Sequence, residues 1–442
     1  MRVLIVDPAG AGLDVAYRAQ QDGHKVKLFI RQGEKTKHIG RGLVDVVDDF
    51  QPWLRWAELI VNTDNTKYLR DLDMMRALGW PVISASQESA AWELDRQVGQ
   101  DTLKQHGIAV PDCKEFSDYD QAIAYVKKEN RRFVSKPSGD ADKALSYCAK
   151  TPADMVYMLE RWKRIAKHKA PFILQEFIAG TEMAVGGWFG PHGFNAGWCE
   201  NFEFKKLMDG DMGVSTGEQG TVLRYVARSK LAKLMLEPLV ETLEKLDYCG
   251  YIDVNCIIDD KGQPWPLEFT MRFGWPTFNI QQELHTGDSI EWLWKLSQGE
   301  DAHNTLLNKV AIGVVMSVPD YPYSHLTRKE VVGSPIYGLT PSLQRHVHLC
   351  EAMQGKAPVD RASGVVDESI LVTAGDYVLV MSAIGDTVYE AKQKAYRRLK
   401  RLTLPNSPMY RTDIGDRLSK QLPIVQPMGF ATGMAFSTSP PP

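Results

Sequence analysis

The most informative stretch of the sequence is YIDVNCIIDDKGQPWPLEFT, residues 251–270. Residues 251–258 and 265–270 are rich in β-branched, aromatic and other apolar side chains, which predicts two strands. The segment DDKG at residues 259–262 has the composition of a tight turn. Together these segments predict a β-hairpin.

Acidic side chains occupy selected positions of this predicted hairpin. Because side chains alternate along a strand, Asp253 and Asn255 share one face of the first strand. Glu268 and Thr270 share one face of the second, so the hairpin can bring Asp253 and Glu268 together. Either acid alone would be interpreted as a solvated surface residue.

The N-terminal part of the chain has the pattern of a doubly wound α/β layer. Residues 3–6 form a continuous apolar run, typical of a strand buried on both faces of a parallel sheet. A loop, a helical stretch and a strand at 26–30 follow, and further strands are predicted at 59–62 and 81–84. Residues 1–95 are therefore predicted to form a Rossmann-like domain. The two glycines of its first loop indicate a tight turn rather than a nucleotide site, since the expected third glycine is missing.

The rest of the chain is predicted to form two further domains and a tail. The expected elements are a helix ending at Gly107, strands at 132–137 and 172–177, a helix at 229–246 kinked by Pro238, and a helix at 387–402. The central domain is expected at 96–310 and a small β-rich C-terminal domain at 311–420. Residues 421–442 lack a core-forming pattern and are predicted to be a loose tail.

Composition narrows the class of protein. A chain of 442 residues is too long to fold around one hydrophobic core, so about two to four domains are expected. The net charge of −3 argues against general nucleic-acid binding, which needs a basic surface. The six cysteines lack the spacing of a zinc site or a disulfide framework. Since signal-peptide and membrane-spanning patterns are also missing, a cytoplasmic protein without membrane contact is expected.

Several segments resemble one family, in the same order along the chain. Residues 264–274, PWPLEFTMRFG, resemble the metal-binding signature of phosphoribosylamine–glycine ligase, or glycinamide ribonucleotide synthetase, a family of the ATP-grasp superfamily. The other matching segments are a glycine-rich substrate loop at 206–220, an adenosine-binding hinge at 175–182, the opening of the last domain at 313–322 and a C-terminal signature at 410–415. Several motifs in order are more specific than any one alone, and the resemblance leaves out only the tail.

This resemblance implies an α/β ATP-grasp fold with an N-terminal Rossmann-like domain and a small β-rich C-terminal domain. It also implies an ADP-forming carbon–nitrogen ligase that uses ATP with magnesium or manganese. Such ligases transfer the γ-phosphoryl group of ATP to a carboxylate, and an amine then displaces the phosphate. A mobile lid at about residues 115–185 is expected to exclude water from the acyl phosphate. Small-molecule substrates, an amino acid and an amine, are the expected partners, and the oligomeric state stays open.

Individual roles follow from the same resemblance. The expected metal ligands are Asp253, Glu268 and Thr270. The expected ATP-binding residues are Lys136, Lys143, Gln175, Glu176, Phe177, Ile178 and Glu182. The expected substrate-binding residues are Asp211, Gly213, Thr216, Gly217 and Arg272. Among these, the catalytic residues are Asp211, which orients the amine, Arg272, which stabilises the acyl phosphate, and Lys136, which grips phosphate.

Plainer interpretations exist for several of these residues. Arg272 could form a salt bridge with a neighbouring acid instead of binding substrate. Lys136 could be a solvated cap at the end of a strand, and the apolar residues of the hinge could be ordinary core.

The sequence departs from this family at the phosphate and metal positions. Gln100 stands where the family has a second phosphate-binding lysine. The flexible loop over the phosphates reads SGDADKAL at residues 138–145, with two extra acids that would repel phosphate. Thr270 replaces a metal-binding asparagine, and Asn255 on the facing strand could compensate.

The substrate loops depart further. The family's first loop grips a ribose phosphate through Gly-Arg-Glu-His, but residues 11–14 here are Ala-Gly-Leu-Asp. Losing the Arg and His, with the acid Asp14 nearby, disfavours a phosphate. A second loop rich in Gly, Pro and Glu is replaced by NTDNTK at residues 62–67. In the substrate loop, Ser215 replaces an asparagine, and Glu218 and Gln219 replace glycine and methionine.

Three functions remain compatible with the sequence. The first is a diverged carboxylate–amine ligase that activates glycine or another small amino acid and uses an acceptor other than phosphoribosylamine. The second is the family's own reaction in purine synthesis. The third is a catalytically silent nucleotide-binding protein, which Gln100 and Thr270 favour. The acids Asp253 and Glu268, together with Arg272, oppose this third hypothesis.

Overall fold

The computed structural model describes residues 1–137, 146–165, 171–300, 305–323, 328–405 and 407–438. The predicted phosphate loop at 138–145, which includes Lys143, lies outside the described residues. Among those described, no helix has the length and apolar character needed to cross a membrane. The chain forms mixed α/β layers, which confirms the predicted fold class.

A parallel sheet forms the N-terminal layer. Within residues 1–95, all of which are described, its five strands run in the order β3-β2-β1-β4-β5. The elements are β1 (Arg2–Val6), α1 (Leu13–Gln21), β2 (Lys25–Phe29), β3 (Val46–Val47), β4 (Leu59–Asn62), α2 (Leu69–Ala77), β5 (Val82–Ile83) and α3 (Gln87–Leu94). Residues 3–6 are fully buried, as expected for an apolar strand covered on both faces. The strand order reverses between β1 and β4, so the loops that follow these strands border a crevice.

A small α/β unit follows α4 (Arg96–Gln105), which stops before the left-handed Gly107 as predicted. In the described part of this unit, four strands pair in the order β6-β9-β7-β8. Its elements are β6 (Cys113–Phe116), α5 (Tyr119–Glu129), β7 (Phe133–Pro137), β8 (Tyr147–Cys148), α6 (Pro152–Ile165) and β9 (Phe172–Glu176). The unit has its own apolar core, which includes Phe133 and Leu159. It is shorter than the lid expected at 115–185, because the strand that begins at Thr181 belongs to another sheet.

One large sheet carries both the central and the C-terminal segments. Its eight strands, counted in the described ranges, run in the order β14-β13-β10-β11-β12-β15-β19-β16. They are β10 (Thr181–Gly190), β11 (Gly193–Met208), β12 (Met212–Val226), β13 (Gly250–Ile258), β14 (Pro264–Thr270), β15 (Val310–Ser317), β16 (Val347–Leu349) and β19 (Tyr377–Gly385). A separate hairpin consists of β17 (Ala352–Arg361) and β18 (Gly364–Thr373). Because β15 pairs with β12, the predicted C-terminal domain extends the central sheet instead of forming a sheet of its own.

The remaining helices cover this large sheet and its flanks. They are α7 (Lys230–Met235), α8 (Val240–Lys245), α9 (Thr277–Gln281), α10 (Ser289–Ser297), α11 (Pro341–Gln344), α12 (Val388–Leu399) and α13 (Leu418–Val425). The predicted helix at 229–246 is interrupted by a short 3-10 turn that contains Pro238, which confirms the predicted kink.

The C-terminal segment is packed, so the prediction of a loose tail from residue 421 is wrong for residues 421–438. Leu422 and Val425 on α13 are buried, and so are Phe430 and Met434 beyond it. Residues 418, 422 and 425 are spaced at helical intervals, and Pro423 within them obscures this pattern in the sequence. The final residues 439–442 lie outside the described part of the chain.

A buried polar network fastens the N-terminal layer to the C-terminal strands. Asp14 accepts a hydrogen bond from Arg18 Nε at 3.0 Å and contacts His348 Nδ1 at 2.8 Å. His348 Nε2 contacts Ser382 Oγ at 2.8 Å, and this hydroxyl donates to Glu283 Oε1 at 2.6 Å. Burial opposes the charged form of Asp14, but the neighbouring Arg18 and His348 lower its pKa below the usual value. The carboxylate of Asp14 is therefore engaged by Arg18 and His348 inside the core.

Candidate active site

Polar side chains converge on one face of the large sheet, which we call the polar face. Across the antiparallel register, Asn255 lies opposite both Glu268 and Ala184, and Ala184 lies opposite Asn201. Directly opposed residues of neighbouring strands point to the same side of a sheet. The side chains that meet on this face are Glu182, Asn201, Glu203, Lys205, Asp253, Asn255, Glu268 and Thr270.

The predicted hairpin places its two acids near each other but not directly opposite. Asp253 pairs in register with Thr270, and Asn255 pairs with Glu268. Asp253 and Glu268 are therefore diagonal neighbours on the polar face, and Thr270 and Asn255 complete the four positions. The three predicted metal ligands, Asp253, Glu268 and Thr270, thus share one face of the sheet, and Asn255 lies on the same face.

Asp253 is the most buried acid of this group. Only 4% of the residue is exposed, and its carboxylate accepts hydrogen bonds from Asn201 Nδ2 at 2.8 Å and Tyr251 Oη at 3.1 Å. Burial, reinforced by the charge of Glu203, raises the pKa of Asp253 to about 7. A Cβ atom at Gly186 would lie 2.0 Å from Tyr251 Oη, so glycine is required there for the tyrosine to reach Asp253.

Lys205 holds the centre of the polar face. Its Nζ lies 3.0 Å from Glu182 Oε1, 3.0 Å from Glu203 Oε2 and 3.5 Å from Glu268 Oε1. Burial disfavours its charged form, but the surrounding carboxylates outweigh burial and raise the pKa of Lys205 well above its usual value. Arg96 Nη2 contacts the other oxygen of Glu268 at 3.2 Å. Permanent cations therefore lie beside the acids of this face.

The oxygen atoms of the polar face fit a hard divalent cation. Asn201 Oδ1, Asn255 Oδ1 and Thr221 Oγ1 are buried without hydrogen-bond partners in the described structure. Oxygen acceptors of this kind suit magnesium, which prefers oxygen ligands. Among the described residues, no group of three or more His, Cys, Asp or Glu is arranged to hold a metal by itself. A metal here would therefore need the two carboxylates together with amide, phosphate and water oxygens.

Arg272 forms a salt bridge with the neighbouring acid Glu93. This is the plainer interpretation considered for it in the sequence. Arg272 Nε donates to Glu93 Oε1 at 3.1 Å. Glu93 Oε2 accepts hydrogen bonds from Asn65 Nδ2 and from the Met271 backbone, both at 2.7 Å. The charge of Glu93 also raises the pKa of Arg272 further above its usual value. Because Arg272 still lines an open cleft, this contact fixes the direction of its guanidinium rather than burying it out of reach.

The predicted ATP-binding residues lie along the small α/β unit and its junction with the large sheet. Lys136, in β7, is close enough to Arg96 and Glu268 to feel their charges, and burial, reinforced by Arg96, lowers its pKa to about 8. The hinge strand β9 contains Gln175, which is buried, and Glu176, which pairs with Arg131 Nη1 at 2.8 Å.

A cleft of about 520 Å³ adjoins this hinge. It is lined by Ile108, Val110, Glu176 and Trp265, among others. The Phe177 ring stacks under Arg132 with the guanidinium 3.4 Å from the ring centre, and Ile178 follows it in the loop before Glu182. Of the predicted hinge residues, Glu176 lines this cleft, whose volume lies in the range of small-molecule sites.

The predicted substrate loop divides into two parts. Thr216 is buried beside the polar face, where its hydroxyl donates to the Lys205 carbonyl at 2.8 Å, and Gly217 follows it. Gly213 lies at the tip of the β11–β12 hairpin with a positive φ of 78°. Asp211 is at the same tip. Thr216 lies farther down the hairpin, next to the Lys206–Ser215 pair.

The prediction that Asp211 orients the attacking amine is not supported by its contacts. Its carboxylate pairs with Arg411 Nη1 at 2.9 Å and Arg417 Nη1 at 3.3 Å. Arg411 also donates to Asp413 at 2.8 Å, so these side chains clamp the hairpin tip onto the C-terminal segment. Both oxygens of Asp211 are thus engaged in ion pairs that hold the fold together.

A second cleft, of about 510 Å³, lies between the N-terminal layer and the polar face, and we call it the acceptor cleft after the role that we propose for it below. It is lined by Asp7, Ala9, Ala11, Thr63, Asp64, Asn65, Thr66, Glu93, Arg96, Glu268, Thr270, Arg272 and Trp275, among others. Both loops in which the sequence departs from the family resemblance therefore border one cleft. They follow β1 and β4, where the strand order of the N-terminal sheet reverses.

Asp7 occupies the backbone donors of the first loop. Its Oδ1 accepts from Ala9 N at 3.2 Å and Gly10 N at 3.0 Å, and its Oδ2 accepts from Gly12 N. These N–H groups precede α1 and would otherwise form an anion-binding cradle. Burial raises the pKa of Asp7, although these hydrogen bonds partly offset the effect. The loop therefore already contains its own carboxylate.

Sequence reasoning missed several of these residues. Asn201, Glu203 and Lys205 alternate along one strand, a spacing of two that could have identified a polar face. Glu93 and Asp7 carried no local signal, because their partners are distant in sequence or are backbone groups.

Comparisons with known proteins agree with the predicted resemblance. Two family models match: the ATP-grasp (A) domain of phosphoribosylglycinamide synthetase over residues 95–278, and the C domain of the same protein over residues 311–417. Phosphoribosylamine–glycine ligase of Xanthomonas axonopodis pv. citri is 24% identical over 439 residues, covering 94% of this chain and 98% of that relative. The Salmonella typhimurium ligase of the same name is 23% identical over 439 residues and also covers 94% of this chain and 98% of that relative.

Solved structures support the fold. Phosphoribosylamine–glycine ligase from Thermotoga maritima matches with a TM-score of 0.69 at 20% identity, covering 94% of this chain and all 100% of that chain. An L-amino acid ligase from Bacillus licheniformis matches with a TM-score of 0.58 at 13% identity, covering 92% and 98%. Because the two domain models together match residues 95–278 and 311–417 and the solved structures share the fold, the chain belongs to the ATP-grasp superfamily and to its ADP-forming carbon–nitrogen ligases, and it resembles the phosphoribosylglycinamide synthetases along most of its length.

Proposed function

We propose that this protein is an ATP- and magnesium-dependent ligase that activates the carboxylate of glycine or another small amino acid and transfers it to an unphosphorylated amine. The observation that carries the activation half is the polar face. There, Asp253 and Glu268 lie diagonally beside the orphaned amide oxygen of Asn255. These are the oxygen donors that magnesium combines with phosphates and water.

The proposed reaction has two balanced steps. A carboxylate oxygen of the amino acid attacks the γ-phosphorus of ATP, and the bond to the ADP oxygen breaks, which gives an acyl phosphate and ADP. The acceptor nitrogen then attacks the carbonyl carbon, inorganic phosphate leaves, and the nitrogen loses a proton. A bound magnesium ion, held by Asp253, Glu268 and Asn255, would supply neutralisation of the triphosphate charge.

The cationic side chains around the polar face have separate tasks in this proposal. Lys136 and Lys205 bind phosphate oxygens, and the carboxylates around Lys205 keep it charged. Arg272 binds the carboxylate that becomes the acyl phosphate. Because Glu93 fixes the guanidinium at 3.1 Å, Arg272 is oriented before the substrate arrives.

The acceptor half of the proposal rests on Asp7. A phosphate bound at the first loop would need the N–H groups of Ala9, Gly10 and Gly12, and Asp7 accepts all three. A phosphate would also meet the negative charges of Asp7 and of Asp64 in the neighbouring loop. The acceptor cleft therefore favours an amine whose recognition group is neutral or cationic.

The test measures ADP release with magnesium, ATP, small amino acids and a panel of amines, using an amino acid labelled with ¹⁸O in its carboxylate. The proposal predicts that ADP release needs both substrates and that one ¹⁸O atom appears in the inorganic phosphate. Unlabelled phosphate would rule out the acyl phosphate route. Nucleotide binding without turnover across the whole panel would indicate the catalytically silent protein instead.

A second candidate function is phosphoribosylamine–glycine ligase itself. Relatives of that name, 24% identical across 94% of this chain, favour it more directly than they favour a changed acceptor. The gene for this protein should then restore growth of a purine-requiring strain that lacks this ligase. Our proposal predicts no growth, even when the protein is expressed in soluble form.

A further inference from the structure

Asn65, in the loop that follows β4, has one polar atom without a partner. Only 1% of the residue is exposed, and Asn65 is among the residues that line the acceptor cleft. Its Nδ2 donates to Glu93 Oε2 at 2.7 Å, whereas its Oδ1 has no hydrogen-bond partner in the described structure. Burying an amide oxygen without a donor is costly, so a ligand in the cleft that supplies the missing hydrogen gains affinity from this atom.

Glu93 fixes the orientation of the Asn65 amide. A carboxylate only accepts hydrogen bonds, so the amide must turn its NH₂ group toward Glu93 and its oxygen away. The opposite orientation would place two acceptors against each other. Asn65 therefore offers the cleft a hydrogen-bond acceptor, which suits an N–H or O–H group of a ligand and disfavours an anion.

Glu93 also joins Asn65 to Arg272. Its Oε2 accepts from Asn65 Nδ2 at 2.7 Å and its Oε1 accepts from Arg272 Nε at 3.1 Å, so one carboxylate holds both side chains. The backbone N–H of Met271, which follows β14, donates to the same Oε2 at 2.7 Å and anchors the carboxylate. The Asn65 amide and the Arg272 guanidinium are therefore held close together, and Asn65, Glu93 and Arg272 all line the acceptor cleft.

We propose that Asn65 is a catalytic residue that binds the attacking nitrogen of the acceptor, with Oδ1 accepting one N–H group of a primary amine. This inference rests on the proposed function, in which Arg272 binds the carboxylate that becomes the acyl phosphate. Because Glu93 links the two side chains, an amine on Asn65 is brought beside the carbonyl carbon that it attacks. The role expected for Asp211 is thereby assigned to a residue of the acceptor cleft.

The proposed contact fits the charge changes of the second step. The neutral amine attacks through its lone pair, the bond between the carbonyl carbon and the phosphate oxygen breaks, and the proton lost by the nitrogen passes to the departing phosphate. While the new bond forms, the nitrogen becomes positively charged, so its N–H groups become stronger donors. A fixed amide oxygen therefore stabilises the transition state more than it stabilises the bound amine.

The experiment uses the full-length protein with ATP, magnesium and the small amino acid that it activates best, and hydroxylamine serves as the amine. The amino acid hydroxamate is measured as a function of hydroxylamine concentration. Asn65→Ala should reduce kcat/KM for hydroxylamine by about 10- to 100-fold, because the hydrogen bond to a nitrogen that gains charge is lost. The KM values for ATP and for the amino acid should change by less than about threefold, since Arg272 keeps its contact with Glu93.

A control variant separates binding of the amine from a general loss of structure. Asn279 is also buried, and its Nδ2 also donates to a carboxylate, Asp14 Oδ2, at 3.4 Å. It is not among the described residues that line the acceptor cleft. Asn279→Ala should therefore keep the wild-type kcat/KM for hydroxylamine, even where its thermal unfolding midpoint is lower.

A second measurement needs no variant. A primary amine has one N–H group for Asn65 and another to lose, whereas N-methylhydroxylamine has a single N–H group. Wild type should therefore prefer hydroxylamine over N-methylhydroxylamine by at least about tenfold more than acetyl phosphate does in free solution. Equal preference in the two settings overturns the proposal even if Asn65→Ala does not fold.

Three further outcomes overturn the inference. In Asn65→Ala, a KM for the amino acid that rises as much as kcat/KM for hydroxylamine falls would mean that Asn65 only positions Glu93 and Arg272. Unchanged kinetics with hydroxylamine in Asn65→Ala, with hydroxamate still formed, would defeat the inference alone and leave the proposed function standing. If wild type forms no hydroxamate with any amino acid, the proposed function fails together with the inference.

Discussion

The polar face and the acceptor cleft border each other, but they satisfy their polar groups in opposite ways. On the polar face, oxygens of Asn201 and Asn255 are buried without partners beside paired acids and lysines. In the acceptor cleft, Asp7 takes the loop N–H groups, and Glu93 holds Arg272. Unfilled acceptors suit a cation that arrives with the nucleotide, whereas internal pairing removes a place where a phosphate could bind. This difference is the reason why the proposed function combines the activating chemistry of the family with a different acceptor.

The largest effect is expected from Glu268→Gln on the polar face. Removing one carboxylate charge from the magnesium site should reduce ADP release by at least about a hundredfold. Glu268 is 40% exposed at its side chain, so the thermal unfolding midpoint should change little. Glu390→Gln, with a side chain 41% exposed and an ion pair to Lys394, is the matched control and should retain full activity. A fully active Glu268→Gln enzyme would contradict the metal assignment.

A smaller loss of activity is expected at Arg272, where the polar face and the acceptor cleft meet. Arg272→Lys keeps the charge but loses the planar fork that can bind a carboxylate while Nε contacts Glu93. We expect kcat to fall by about 10- to 100-fold, with a smaller change in the KM for ATP. Arg76→Lys, which alters another arginine paired with an acid at 2.7 Å, should leave kcat unchanged. Equal effects in the two variants would mean that Arg272 acts only through stability.

Asp7→Ala tests whether the acceptor cleft contains a closed anion site. The variant should lose roughly 1–3 kcal/mol of unfolding free energy, because buried N–H groups lose their acceptor. Inorganic phosphate should then raise its thermal unfolding midpoint by about 1–2 °C, but should not stabilise the wild type. Asp49→Ala, which also removes a side-chain acceptor for a backbone N–H, is the control. Phosphate stabilisation of the wild type would show that Asp7 does not fill this site.

The smallest effect on activity is expected from changing Glu283. This acid belongs to the buried network of Asp14, His348 and Ser382, outside both the polar face and the acceptor cleft. Burial opposes its ionisation, but a hydrogen bond with His346 and the charge of His348 lower its pKa from 4.5 to about 2. Since the pKa in the folded protein is the lower one, this stabilisation is present above about pH 4.5 and is lost as pH falls toward 2. Glu283→Gln should remove on the order of 2–3 kcal/mol at pH 7 and flatten the acid limb of the stability curve. Unchanged acid unfolding would refute this account.

Local patterns in the sequence predicted which side chains share the polar face but not the long-range pairings around them. Alternation along residues 251–270 identified which side chains share a face, because that depends only on strand geometry. The contact between Asp211 and Arg411 joins residues 200 positions apart, and no local pattern encodes it. The pairing of β12 with β15 also depends on distant residues. The packing of residues 421–438 was missed for a local reason, because Pro423 obscures the helical spacing of the buried residues. Asp7 was missed because its partners are backbone N–H groups, which every residue type shares.

The most direct test of the central claim is the ratio of kcat/KM for ribosylamine to that for phosphoribosylamine, measured on the wild-type enzyme with ATP, magnesium and the preferred amino acid. The two amines differ only in the phosphate, so the ratio reports whether the acceptor cleft accepts that group. We expect a ratio above one, because Asp7 occupies the loop N–H groups that a phosphate would need. A strong preference for phosphoribosylamine would contradict the account and identify the protein as a ligase that retains the family's acceptor.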